Sequence, residues 1–404
     1  MLFKIAFRNI FRQKRRTILT ALTMFGGFAL ASFSIGWSDG SYSFIINMFT
    51  RNHLGHIQIH RGDYRDRSSL YKTIDDYQRI GQRISELAGV ESWAPRAFAA
   101  GLISVGENST GSRIIGIDPR LENLTTRFNN KIVVGSPFAL TSRHEAILGQ
   151  GLARVLKAEV GDEVVIVSQA ADGSIANDLF IITGIIETGD AISDRTSLYL
   201  HLRDFQEFFV MEGKVHEIAV IISKLNNVSV MAQRIRDTLN MPELEVSCWQ
   251  EFAKSFYQAM QADVQGMWVM LLIILLIVAV GVLNTVLMSV LERQREYGLL
   301  KAVGTRPQQI FKMVLLEVNM LALISIGTGT IIGLVLNYLF SRHGINLPQA
   351  FTYGGVEFKT MYTMVTARSL YIPIITVFLA ASIVSIFPAM RAARTEPAEA
   401  MRTH

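Results

Sequence analysis

The chain has 404 residues, half of them hydrophobic, with a formal net charge of +5 and a single cysteine, Cys248. One cysteine excludes an internal disulfide framework of the kind that holds small secreted domains together. The positive excess comes from Lys and Arg clustered beside apolar runs. Membrane topology explains that pattern, so the charge does not indicate a nucleic-acid partner.

Residues 1–16 are basic and contain no acid. Their apolar residues share one helical face, which predicts an amphipathic helix in the inner headgroup layer or a simple positively charged anchor. The apolar run that follows contains Ala29-Leu30-Ala31, which resembles a signal-peptide cleavage site, but it continues to Trp37. We therefore expect this run to remain as a membrane span.

Four apolar runs are long enough to cross a bilayer, for which a helix needs about 20 residues. Three contain no charged residue, and the third in chain order contains only Glu317, near its start. The predicted spans are residues 17–37, 266–291, 313–341 and 369–390.

The basic segments between and beside the spans set the predicted orientation. Residues 1–16, 292–312 and 391–404 carry the clustered Lys and Arg, so both termini are expected in the cytoplasm. Residues 38–265 and the short loop 342–368 are then external. The sequence predicts a multi-pass membrane protein.

The pattern of the long external segment predicts an α+β domain on two helical stalks. Alternating β-branched runs near residues 56–60, 101–105, 113–117, 164–168, 180–186 and 218–223 predict strands. Helical periodicity appears in residues 74–87 and 228–239. Asp172-Gly173 predicts a tight hairpin turn between two strands. The apolar stretches 38–50 and 256–265 predict helices that continue beyond the membrane.

The spans contain two features that predict helix contacts. Ser325, Gly329 and Gly333 recur at every fourth position, a spacing that lets two helices approach closely, either between subunits or within the chain. Asn284 lies at membrane depth in the second span. Because lipid cannot satisfy an amide, we expect it to face protein.

The segment after the second span is the densest motif in the chain, and its sequence is LERQREYGLLKAVG, residues 291–304. It predicts an amphipathic helix that stops at Gly304, and Thr305 with Gln308 predicts a capping box for the next helix. Gly298 removes a side chain where another surface could come close. The alternative is a solvated loop that merely satisfies the positive-inside rule.

This segment resembles the R-x-R-E-I-G-x-L-(R/K)-A-x-G signature of the lipoprotein-releasing, macrolide-efflux and cell-division permease superfamily of ABC transporters, with Tyr297 in place of the aliphatic residue. The opening residues 6–17 and the ending 387–402 are similar to the same family. The stretches GHIQIH, residues 55–60, and GIDP, residues 116–119, resemble the lipoprotein-releasing branch. The resemblance implies an α-helical membrane protein with four transmembrane helices and a large MacB-like α+β periplasmic domain, in two lobes, between helices 1 and 2.

In that family the segment is a coupling helix that docks on a separate cytoplasmic ABC ATPase, present in two copies, and two permease subunits pair as a homodimer or heterodimer. ATP and Mg bind the ATPase, and motion passes to the periplasm by mechanotransmission. By resemblance, the residues that contact the ATPase are Glu292, Arg293, Arg295, Glu296, Gly298 and Lys301.

The sequence lacks the residues of several catalytic sites. It contains no Gly-x-x-x-x-Gly-Lys-Ser/Thr phosphate loop, so we expect a non-catalytic subunit that depends on an ATPase from another polypeptide. It contains no Gly-x-Ser-x-Gly nucleophile turn. His53, His56 and His60 have no nearby carboxylate or cysteine at ligand spacing, so we expect surface histidines and no metal or other cofactor on this chain.

The function expected first is release of lipoproteins from the outer leaflet of the inner membrane. The candidate surface for their acyl chains is an apolar stretch that could equally serve stalk packing: Phe44, Ile45, Ile46, Met48 and Phe49. A periplasmic chaperone is a further partner of this branch, but residues 168–179 lack the proline-bearing hook of chaperone-binding members. The alternatives are an ATP-driven regulator of a periplasmic cell-wall hydrolase and efflux of small amphiphiles or peptides.

Overall fold

The structure is a computed structural model that describes residues 6–9, 14–141, 143–353 and 356–396. Residues 6–9 are helical; the rest of the predicted N-terminal amphipathic helix before Lys14 lies outside the described residues. The helices are α1 (Lys14–Phe49), α2 (Tyr77–Ser85), α3 (Pro119–Thr126), α4 (Gln150–Leu156), α5 (Ala191–Thr196), α6 (Leu202–Phe208), α7 (Val228–Leu239), α8 (Trp249–Phe252), α9 (Lys254–Glu292), α10 (Gln294–Ala302), α11 (Pro307–His343) and α12 (Arg368–Arg394). The strands are β1 (Ile57–Arg61), β2 (Val90–Val105), β3 (Asn108–Ile117), β4 (Ile132–Gly135), β5 (Glu145–Gly149), β6 (Glu163–Gln169), β7 (Ile175–Ile186), β8 (Ser197–His201), β9 (Glu217–Ile222), β10 (Leu244–Cys248), β11 (Ile345–Tyr353) and β12 (Val356–Met361).

Four of these helices, α1, α9, α11 and α12, are long and apolar enough to cross a membrane. They contain the four predicted spans, and α1 and α9 run well beyond them, as the apolar stalk stretches predicted. After α1 the chain makes a π-helical turn, Thr50–Leu54. The α+β domain lies between the first and second membrane helices.

The membrane helices share one apolar core, to which α1 contributes Met24 and Phe28. The small residues of α11 form part of this packing. A Cβ added to Gly329 would lie 2.8 Å from the Phe28 ring, and one added to Gly333 would lie 3.0 Å from Ser32 Oγ. Ser325 is also buried. Gly329 and Gly333 therefore lie against the first span of the same chain.

Two local features differ from the sequence prediction. The residue that caps α11 is Arg306, whose backbone N–H donates to the Gln309 side chain at 3.0 Å, one residue after the predicted pair Thr305 and Gln308. Pro307 causes this shift, because proline favours the first position of a helix and so makes the preceding residue the cap. The predicted loop 342–368 contains the strand pair β11–β12.

The α+β domain is built on a ten-stranded sheet in the order β10-β1-β9-β2-β3-β8-β5-β7-β4, with β6 paired to both β2 and β7. The pairs β3–β8 and β5–β7 are parallel and the other described pairs are antiparallel. The sheet is continuous through β2, a strand long enough to pair with β9 near its start and with β6 near its end. The division of the domain into two lobes stays a prediction.

The predicted hairpin at Asp172-Gly173 is present between β6 and β7. Gly173 has a φ of +87°, which a residue without a side chain adopts at little cost. The Ser174 N–H donates to the Asp172 carboxylate at 2.9 Å. The turn is short, and residues 168–179 form no extended hook.

Candidate functional site

The predicted coupling segment forms a short helix, α10, between two breaks in the backbone. Arg293 leaves the helical conformation at the end of α9, with φ −100° and ψ 15°. Gly304 has a φ of +100°, which ends the segment before α11 begins. We call residues 292–304 the elbow.

Arg293 ties the elbow to the third membrane helix. Its Nη1 donates to both carboxylate oxygens of Glu317 on α11, at 3.1 and 3.2 Å. Its Nε donates to Glu296 at 3.1 Å, and its guanidinium lies 5.4 Å from the centre of the Tyr297 ring. Arg293 is buried, so its charge is neutralised inside the chain.

The elbow is tied to two further helices. Lys301 Nζ donates to the carbonyls of Ala393 and Thr395 at 3.1 and 2.8 Å, at the C-terminal end of α12. A cation is favourable there because the last carbonyls of a helix carry partial negative charge. Glu292 forms an ion pair with Arg16 of α1. Since α9 leads directly into the elbow, all four membrane helices are joined to it.

The inward side of the elbow is apolar as well as charged. Tyr297 is almost completely buried in the core of the membrane helices, where it packs with residues such as Val290 and Ile310. Gly298 is buried too. Gly298 is therefore covered by its own chain, and its contact with the ATPase stays a prediction.

The outward side of the elbow presents a single helical face. Glu292, Arg295, Leu299 and Val303 are exposed and Glu296 is half-exposed, at spacings of three and four residues. Val303 is 86% exposed. Sequence reasoning did not assign a role to Leu299 or Val303, although apolar side chains in a segment outside the predicted spans were a signal for them.

The six predicted contact residues thus separate into two groups. Glu292, Arg295 and Glu296 lie on the outward face. Arg293 and Gly298 are buried, and Lys301 bonds to the end of α12. Glu292 stays exposed although it pairs with Arg16. The motif therefore includes residues that hold the elbow in place as well as residues that an external partner can reach.

The predicted acyl-chain surface at the end of α1 is mostly half-buried. Ile45 is buried, and Phe44, Ile46, Met48 and Phe49 are partly accessible. Two of the five take part in ring contacts: Phe44 lies 5.0 Å from Tyr362, and Phe49 stacks on Phe256 at 5.4 Å. Stalk packing accounts for part of this stretch, and Ile46 and Met48 take no part in those ring contacts.

The prediction of surface histidines at 56 and 60 is wrong, because both side chains are buried. His60 Nδ1 lies 3.0 Å from the His216 carbonyl. The Ile222 N–H donates to His56 Nδ1 at 3.0 Å. The side chain of His53 lies outside what the structure describes. Among the described residues, no group of His, Cys, Asp and Glu could hold a metal ion.

A buried ionic cluster in the α+β domain had no counterpart in the sequence analysis. Arg96 donates to Glu122 at 2.7 and 3.0 Å and to Glu217 at 2.9 Å. Burial disfavours the charge on Glu122, but Arg96 more than offsets this and lowers the pKa of Glu122 below its usual value. Burial also lowers the pKa of the nearby Lys131 to about 8. These residues line a cavity of about 60 Å³, large enough for a few water molecules.

Two protein families match this sequence. Residues 17–238 match the MacB-like periplasmic core domain, and residues 268–397 match the FtsX-like permease C-terminal family. The first match alone spans more than half of the chain. The chain belongs to this permease family. It is therefore a permease subunit of an ABC transporter and a multi-pass inner membrane protein whose α+β domain is periplasmic.

Individual relatives are similar to the chain at low identity. The lipoprotein-releasing system transmembrane protein LolC of Neisseria meningitidis serogroup B is 21% identical over 355 residues, 82% of each chain. The macrolide export ATP-binding/permease protein MacB of Pasteurella multocida is 22% identical over 415 residues, 99% of this chain and 60% of that protein. The solved periplasmic region of MacB from Actinobacillus actinomycetemcomitans is 13% identical, with a TM-score of 0.38, and covers 50% of this chain and 92% of that structure.

Proposed function

We propose that this permease works by mechanotransmission and releases lipoproteins from the outer leaflet of the inner membrane. Two copies of a separate ABC ATPase, which bind ATP and Mg, drive it from the cytoplasmic side, where both termini of the permease lie. Two permease subunits form the membrane part. The catalytic chemistry belongs to the ATPase, and this chain contributes the mechanical link.

The attachment of the elbow to all four membrane helices is the observation that carries this proposal. A loop that only satisfied the positive-inside rule would have no need of the Arg293–Glu317 ion pair or of the Lys301 bonds to the end of α12. Because these links hold the elbow to α11 and α12, a force applied to its outward face moves the membrane helices instead of bending a flexible loop.

The outward face has the mixed character expected of a docking surface for the ATPase. Leu299 and Val303 supply apolar contact area and Arg295 supplies charge. We assign direct ATPase contact to this face together with Glu292 and Glu296. Arg293, Gly298 and Lys301 support the face from within the chain.

Lipoprotein release suits an ATP-driven device for an energetic reason. Each buried methylene of an acyl chain contributes about 0.8 kcal/mol to membrane anchoring, so extraction of a protein with two or three chains needs an external energy source. The LolC relatives, named as parts of a lipoprotein-releasing system, support this cargo. The partly accessible residues Phe44, Ile46, Met48 and Phe49 at the end of α1 are the candidate surface for those chains. The compact β6–β7 turn does not support direct capture of a chaperone by this subunit.

Depletion of the protein in its host tests the cargo. Lipoproteins destined for the outer membrane should accumulate in the inner membrane, as measured by membrane fractionation. Unchanged sorting, in a strain without a second releasing system, would refute the proposed cargo. Sensitivity to macrolides or peptides under depletion would instead indicate efflux, and a cell-chaining defect would indicate control of a cell-wall hydrolase.

A matched pair of substitutions tests the coupling face. Val303→Asp places a charge in the proposed ATPase contact, and Val230→Asp makes the same change at an exposed position of α7 in the periplasmic domain. We expect Val303→Asp to abolish permease-stimulated ATP hydrolysis by the ATPase encoded in the same gene neighbourhood, and Val230→Asp to leave it unchanged. Full stimulation in the Val303→Asp variant would contradict the assignment.

A further inference from the structure

Asn284 of α9 faces away from the described residues of its own chain, so they do not provide the protein contact that the sequence predicts for it. The side chain is exposed, and it makes no hydrogen bond to any residue in the described ranges. It lies seven residues before Leu291, the last residue of the predicted span, which places it about 10 Å inside the apolar region. Lipid offers no partner for an amide at that depth, so polar side chains there normally face protein.

Asn284 belongs to a regular stripe along the outward side of α9. The stripe has seven positions, which follow one another at alternating spacings of three and four residues along most of the span. They are Met270, Ile273, Ile277, Val280, Asn284, Leu287 and Leu291, and all except Asn284 are apolar. The members from Met270 to Asn284 are exposed, and Leu287 and Leu291 are half-exposed. This is the heptad spacing of a two-stranded coiled coil, in which a single asparagine fixes register and partner number.

The opposite side of the same helix is already used within the chain. Val278, Val282, Val286 and Val290 recur at every fourth position and are buried in the core of the membrane helices. The helix therefore has one apolar stripe that packs on its own chain and a second stripe, with a polar centre, that the described part of the chain leaves uncovered.

We propose that the stripe from Met270 to Leu291 is the contact surface for a second copy of this chain, with the two Asn284 amides hydrogen-bonded to each other across a two-fold axis. Two copies insert in the membrane in the same orientation, so their α9 helices run parallel, a direction that is compatible with the heptad spacing. An amide both donates and accepts, and is therefore self-complementary in an isologous contact. This inference rests on the proposed pairing of permease subunits and specifies the helix and the residue that mediate it.

The polar centre decides the specificity of this contact. Apolar residues gain little from leaving lipid for another helix, so close packing and hydrogen bonds between helices drive association in membranes. Of the seven stripe positions, only Asn284 can form such a bond through its side chain. Its amide pair would also align Val280 of one copy with Val280 of the other.

Cysteine cross-linking of the full-length protein in native membranes tests the surface. In a Cys248→Ser background, Val280→Cys should form a covalent homodimer on oxidation. Leu272→Cys on the same helix and Ile331→Cys on α11 are the controls, because both positions are exposed and apolar but lie off the stripe. We expect at least five times more dimer from Val280→Cys than from either control. Equal yields, or cross-linking of Val280→Cys only to a different permease, would overturn the proposal.

Substitution of Asn284 tests the hydrogen bond. Asn284→Leu should lower the dimer association constant about three- to thirtyfold, measured by energy transfer between labelled full-length chains in lipid vesicles. Asn284→Gln keeps the amide and should retain most of the affinity. An unchanged constant in the Asn284→Leu variant would refute the role of the amide. Neither assay uses an ATPase or a cargo, so these results stay separate from a failure of lipoprotein release or of ATPase coupling.

Discussion

Acidification should destabilise the periplasmic domain through two buried histidines, His56 and His216. The Ile222 N–H donates to His56 Nδ1, and the Phe98 N–H donates to His216 Nδ1 at 2.9 Å. A backbone N–H can only donate, so each Nδ1 must be unprotonated in the folded domain. Protonation would break both bonds and place a charge in the core.

The pKa values set the size of the effect. Burial lowers the pKa of His216 to about 4, and burial together with the charge of Arg51 lowers the pKa of His56 to about 4. The usual pKa of a histidine, which applies to the unfolded chain, is 6.5. Above pH 6.5 both states are neutral and the full stability is present. Between pH 6.5 and 4 the unfolded chain binds protons at the two histidines and the folded domain does not, so the free energy of unfolding falls as the pH falls.

At pH 5 this difference amounts to about 2 kcal/mol for each histidine, or about 4 kcal/mol for the two. That is a large part of the roughly 5–15 kcal/mol that stabilises a typical domain. Hydrogen exchange of the full-length protein in detergent measures it, because the Phe98 and Ile222 amides report on the two bonds directly. After correction for the intrinsic exchange rate, their opening free energy should fall by about 4 kcal/mol from pH 7.5 to pH 5.

A substitution that keeps the acceptor isolates the histidine contribution. In His216→Asn the side-chain oxygen can still accept from Phe98 but does not titrate, so the fall should shrink by about 2 kcal/mol. The wild-type protein is the reference. His201→Asn is unsuitable as a control because His201 caps α6. An opening free energy that does not change between pH 7.5 and 5, or that changes equally in His216→Asn, would refute the assignment of neutral buried histidines.

Three further predictions concern the elbow and the membrane helices. Arg293→Glu should uncouple ATP hydrolysis from lipoprotein release in reconstituted vesicles, and the charge exchange Arg293→Glu with Glu317→Arg should restore at least half of the release; no restoration would argue against a direct link. Lys301→Met, which removes the bonds to the end of α12, should lower release per ATP hydrolysed severalfold while the protein still inserts, and an unchanged ratio would show that this link carries no force. Gly329→Leu should destabilise the protein by about 1–3 kcal/mol in thermal unfolding, because its side chain meets the first span, whereas Gly327→Leu, with open space around it, should change stability little; equal effects would contradict the packing.

Local patterns in the sequence were sufficient to predict the membrane spans and the α+β class of the external domain. Membrane insertion depends on about 20 consecutive apolar residues, which a single stretch of chain contains in full. The Asp172-Gly173 turn was predictable for the same reason, since it needs only a few neighbouring residues and a glycine that accepts a positive φ.

The roles of single side chains in the elbow were beyond the reach of local patterns. Arg293 and Arg295 look equivalent in the sequence, yet one pairs with Glu317, 24 residues further on, and the other lies on the outward face. Lys301 bonds to carbonyls more than 90 residues away. A motif specifies that a helix forms, but which of its sides is buried depends on the helices that pack around it.

For polar residues in apolar surroundings, too, some properties follow from the local sequence and others from contacts between distant segments. The sequence is enough to show that Asn284 needs a partner, because the cost of an unpaired amide in hydrocarbon follows from its position in the span. The fold is needed to show that the described residues of the same chain do not supply this partner, and that His56 and His60 are buried in the domain. Burial is a property of contacts between distant segments, and no local stretch of sequence contains it.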